Sequence, residues 1–113
     1  MPRNKIYDTC ELPCEVARIV KAICADYDRR ARALRAGIVD EKVRTTYTRL
    51  NAAVDEALLR IDEPMIRRAL VQDMVLRRGY DRSEAQPFIC ENSYYARRRH
   101  VLYLVAEYTS LIL

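Results

Sequence analysis

A chain of 113 residues is the size of a single domain and can bury roughly two-thirds of the surface its unfolded form exposes. Half of its residues are hydrophobic and 32% are charged, a mixture that excludes a disordered chain. A net charge of +4 and a pI of about 9.0 give a surface field that attracts polyanions.

No run approaches the roughly 20 apolar residues that cross a bilayer, so no membrane partner is expected. The start, Met1-Pro2-Arg3-Asn4-Lys5, lacks the apolar core of a signal peptide, and the expected location is cytoplasmic. Cys10, Cys14, Cys24 and Cys90 are then expected as reduced thiols. The charge is unevenly placed. Residues 1–63 carry twelve Lys or Arg against eleven Asp or Glu, and residues 64–113 carry eight against five. Only Gly37, Gly79 and four prolines interrupt a chain rich in good helix formers, so the expected class is all-α.

In chain order, a helix can begin at Leu12-Pro13, where a first-turn proline loses little. Val16, Ile19, Val20, Ile23, Tyr27, Ala31 and Leu34 recur at spacings of three and four, one stripe of a long amphipathic helix that Gly37 ends as a left-handed cap. Asp40 is a natural N-cap for the next helix, with Glu41 in the favourable first turn. Its stripe is Val43, Tyr47, Leu50, Val54, Leu58 and Ile61, with Arg29, Arg30, Arg44, Arg49, Asp55 and Glu56 on the remaining faces. Two stripes joined by a short link predict an antiparallel hairpin over residues 12–61. Such a pair is an arm or dimerisation element, or else half of a bundle, and the bundle is the commoner outcome.

Asp62-Glu63-Pro64 opens a third helix carrying Met65, Ile66, Ala69, Leu70, Met74 and Val75, which Gly79 should close. Tyr80 to Ile89 is a short polar-started segment, Cys90-Glu91-Asn92 reads as a turn, and Ser93 opens a last helix with Tyr95, Leu102, Val105, Ala106 and Thr109 on one face. Helix, glycine break, short helix, turn and Arg-bearing helix make a helix-turn-helix pattern over residues 64–113. The whole chain, 1–113, is expected as one all-helical domain.

A recognition helix needs an exposed polar or aromatic start, positive charge in the next turn and an apolar opposite face. Ser93-Tyr94-Tyr95-Ala96-Arg97-Arg98-Arg99-His100 supplies the first two, and Leu102, Val105 and Ala106 the third. The candidate DNA contacts are Ser93, Tyr94, Arg97 and Arg98, with Arg99 at the margin. Arg grips phosphate or reads guanine bidentately; Ser and Tyr hydroxyls usually touch the backbone. Pro87 falls where the first helix of the motif should run and would kink it.

Residues 62–112, with Arg67-Arg68, Gly79-Tyr80, Ser83, the stretch from Cys90 to Arg99 and the trailing Leu102, Val105 and Ala106, resemble the C-terminal region of phage-associated regulators of the ArpU and RinA type. That resemblance implies a module similar to region 4 of sigma factors and a transcriptional regulator of mobile-element genes binding double-stranded DNA.

Other chemistry finds little support. Cys10 and Cys14 form a C-x-x-x-C pair, but zinc needs four ligands and His100 is the only histidine. The adjacent carboxylates Asp55-Glu56 and Asp62-Glu63 do not converge as an acid/base pair. No Gly-rich loop cradles phosphate. The expectation is therefore a non-enzyme without metal or cofactor. It binds duplex DNA through its last helix, with RNA polymerase and a second copy of the chain as further partners. The alternative is a non-catalytic helical interaction module whose basic C-terminal face binds an acidic protein.

Overall fold

The computed structural model describes residues 11–37, 39–76 and 89–112. Every regular element among them is an α-helix: α1 (Cys14–Ala25), α2 (Tyr27–Ala36), α3 (Glu41–Leu58), α4 (Pro64–Met74) and α5 (Glu91–Tyr108). No described helix is long and apolar enough to cross a membrane. Gly79, Pro87 and the short segment from Tyr80 to Phe88 lie outside the described residues, as does Cys10.

The helix ends follow local chemistry. Pro13 precedes α1, and Pro64 sits in the first turn of α4, where its missing N–H is no loss. Gly37 closes α2 with φ of 68°, and its N–H donates to the Ala33 carbonyl. Asp40 caps α3: its Oδ1 accepts from the Val43 N–H at 2.9 Å.

The expected single long helix is divided at Asp26, whose φ of −92° and ψ of 4° leave the helical range. Arg30 accounts for the break. This arginine was expected on a solvent face, yet it is 2% exposed. Its Nε donates to Asn51 Oδ1 at 2.7 Å, its Nη2 donates back to the Ile23 carbonyl, and Asn51 Nδ2 donates to the Tyr27 carbonyl. With Asp26 3.5 Å from Nη1, the buried guanidinium has an anion and carbonyls to satisfy it. Arg30 thus covers the Ile23 carbonyl beside the break, and through Asn51 it pins α2 to α3.

The core is assembled from one stripe per helix: Val20 and Cys24 of α1; Val54, Ala57 and Leu58 of α3; Ile66, Ala69, Leu70 and Met74 of α4; and Tyr94, Val101, Leu102, Val105 and Ala106 of α5, with Ile61 from the connection. Ile19, expected in the stripe of α1, is instead 47% exposed, and Cys24 takes the inward position. Arg67 fixes the turn between α3 and α4 by donating from both Nε and Nη2 to the Ile61 carbonyl.

The central element is α5, which packs on both α3 and α1. α2 rests chiefly on α3, a shorter helical pair than the hairpin expected over residues 12–61. Its outer portion contributes nothing to the core: from residue 31 to residue 50 no described side chain is buried. The hairpin is therefore rooted in the bundle by Arg30 and the second half of α3, and its tip stands clear as an arm.

Candidate nucleic-acid interface

The last helix begins two residues earlier than its sequence suggests. Cys90 stands at the N-cap position and Glu91, expected in a turn, occupies the first helical turn, where its charge suits the dipole. Ser93 thus lies inside the helix, half-buried, with its Oγ 3.2 Å from Cys90 Sγ. The Ser93 hydrogen bond holds the Cys90 thiol below its ordinary value.

Tyr94 is the clearest departure from an exposed recognition surface: it is 0% exposed. Its hydroxyl donates to Asp73 Oδ2 at 2.8 Å, and burial, then Asp73, raise its pKa well above that of a free tyrosine. Asp73 is itself 6% exposed. Its other oxygen accepts from Arg98 Nε at 3.3 Å. Arg97, one turn after Ser93, donates from Nε to Glu63 Oε2 at 3.0 Å and from Nη1 to the Ser93 carbonyl. Two of the three consecutive arginines therefore tie α5 to the entry and the end of α4.

The spacing explains why. Tyr94, Arg98, Val101 and Val105 follow one another at four, three and four residues, so they share a face, and Val101 and Val105 are fully buried. The arginine face of the helix start is continuous with the core face of its end. Tyr95, expected inward, is only half-buried and meets Tyr94 edge-on at 5.3 Å between ring centres.

Arg99 alone of the five candidates is exposed. Together with Arg98 it lines a cleft of about 290 Å³ between α1 and α5, whose other walls are Glu11, Leu12, Ala17, Lys21 and Leu102. Arg98 uses only its Nε on Asp73, and its Nη groups make no hydrogen bond with another described residue. Lys21, which no motif in the sequence singles out, is thus brought from 77 positions away to a basic cleft. Its signal was a solvent-side position four residues beyond Ala17 on α1, meaningful only once α1 is known to pack on α5. Asp73 was easier to find, since it falls in the stripe Ile66, Ala69, Leu70, Asp73, Met74, where a carboxylate needs a partner.

No group of three or more metal-ligating side chains occurs among the described residues. Compared with protein-family models, curated proteins and solved structures, the chain matches none.

Proposed function

We propose that this chain is a non-catalytic regulator of transcription that binds duplex DNA, with the basic cleft between α1 and α5 as a phosphate-gripping surface. The observation that carries the reading is the convergence of Lys21, Arg98 and Arg99 from two helices on one cleft whose single acidic lining residue is Glu11. Arginine and lysine in a concave, partly apolar setting engage phosphate more strongly than on an open face, because water screens them less. The resemblance of residues 62–112 to the ArpU and RinA type of regulator supports the assignment to mobile-element genes in the cytoplasm. Contact with RNA polymerase and pairing with a second copy belong to the same reading.

The geometry revises which residues would do this. Tyr94 is withdrawn from the contact set by its burial, and Arg97 contributes through the position it holds between Glu63 and the Ser93 carbonyl. Ser93, Arg98 and Arg99 remain, and Lys21 joins them.

The test is fluorescence anisotropy of a labelled duplex of random sequence, titrated at low and physiological salt. Lys21→Gln/Arg99→Gln is the variant of choice, because both side chains are exposed and neither ion-pairs with a described residue. Binding should weaken on the order of tenfold at low salt, with the salt slope shallower by about 0.9 for each phosphate no longer gripped. A wild type that ignores duplex DNA at low salt, yet is captured by an acidic polypeptide, would replace this reading with the acidic-partner one.

A further inference from the structure

Among the described residues, the exposed basic charge is concentrated on the helical arm rather than on the last helix. Between residues 28 and 49 the chain carries Arg29, Arg32, Arg35, Lys42, Arg44 and Arg49 in exposed positions. Three carboxylates share the segment, Asp28, Asp40 and Glu41, and Asp40 is already committed to the cap of α3. Arg29 is held by Asp26 at 2.6 Å and lies over the ring of Tyr47. The other five cations form no ion pair with any described residue, in contrast to Arg97 and Arg98.

Such an arrangement opposes folding of the arm taken alone. Arg32 and Arg35 stand three residues apart on α2, so these two like charges neighbour one another on its surface, and the pair is unfavourable. From residue 31 to residue 50 the arm adds no buried side chain to the core that would offset this. Its large apolar residues, Leu34, Val43, Tyr47 and Leu50, are half-buried, with Tyr47 meeting Arg29 of α2, and its exposed positions are taken by cations, carboxylates, threonines, Ala36 and Gly37. A protein partner would ask for an apolar centre that this surface lacks. A uniformly charged rod asks only for spaced cations, and duplex DNA presents one negative charge per roughly 1.7 Å of axis.

We infer that the arm formed by α2 and the first half of α3 is a second DNA-contacting element, laid along the phosphate backbone. The inference rests on the duplex-binding reading and deepens it. Two packed helices are roughly 20 Å across, wider than the about 12 Å of the major groove, so the pair stays outside the groove and reads no base edges. The arm supplies affinity and orientation without sequence preference, while the cleft beside α5 holds a separate stretch of backbone.

Arg32→Gln/Arg35→Gln/Lys42→Gln/Arg44→Gln removes four of these charges at exposed positions and keeps a polar side chain with two methylenes at each. Its fold is checked by circular dichroism and thermal melting against wild type. On a labelled 30-bp random duplex at low salt, the expected result is affinity weaker by about 10- to 100-fold and a salt slope shallower by about 3.6, near 0.9 for each phosphate released. Arg18→Gln, a charge change outside both surfaces, should bind like wild type. A folded quadruple variant with wild-type affinity and slope overturns the arm and leaves the cleft reading standing. A wild type that does not bind the duplex at all overturns both.

Discussion

A carboxylate that is 6% exposed survives in a fold only when its lone pairs are used, and Asp73 uses them on Tyr94 and Arg98. Arg98→Ala would leave this carboxylate with the tyrosine alone, and the expected loss is about 1–3 kcal/mol of stability in urea unfolding. Arg99→Ala, by contrast, should fall within about 0.5 kcal/mol of wild type. Equal effects of the two would contradict the buried network. The same burial governs the alkaline limit. Desolvation pushes the Cys24 thiol up to about 12, and desolvation with the Asp55 hydrogen bond pushes Tyr27 up to about 12, while Tyr94 is raised further for like reasons. All three are raised, so the stability linked to them is complete below their ordinary values of 9.0 and 10.0 and is lost as pH climbs towards the folded values. The urea midpoint should be level up to about pH 8.5 and fall steadily from about pH 9 to 11, whereas a level midpoint throughout would refute the assigned burial. At this scale the sequence was readable in part. Asp73 stood in an apolar stripe, but the solvent-face reading of Arg30 failed because its partner Asn51 lies on another helix.

Helix boundaries written in local chemistry were legible at the level of elements. Gly37, Asp40 and Pro64 each act where their backbone preferences direct. Gly37→Ala should cost about 1 kcal/mol, since φ of 68° strains any residue with a Cβ. Nothing lies within 4 Å of the added carbon, so the cost is one of backbone conformation alone, and Gly37→Asn should recover part of it in thermal melts. A loss-free alanine would show that the left-handed cap is not held in solution. Boundaries set by tertiary contacts were not legible. The break at Asp26 depends on the reach of Arg30 into the hairpin seam. The start of α5 was displaced by two residues because Ser93 has the chemistry of a cap, although Cys90 holds that position. The last helix also has apolar residues around most of its circumference, which suits an element packed on both α1 and α3 and blurs any one-sided pattern.

For the whole molecule, the all-helical class follows from apolar residues recurring at spacings of three and four in a chain with few glycines and prolines. The location of unneutralised charge does not follow. The chain as a whole is +4, and its C-terminal part carries the larger formal excess, yet folding pairs Arg97 and Arg98 with Glu63 and Asp73. It leaves Arg32, Arg35, Lys42, Arg44 and Arg49 facing water on an arm. Under the duplex-binding proposal, the two basic surfaces, an outer arm and a cleft, would both contact a partner that is long, rigid and evenly charged. The most direct test of duplex binding through these two surfaces is the affinity of wild-type protein for a 30-bp duplex, measured from about 50 to 300 mM salt. The expected result is a straight line of log affinity against log salt with a slope of about −4.5 to −6.3, corresponding to roughly five to seven phosphate contacts. A slope near zero, or no detectable complex at the lowest salt, would contradict it.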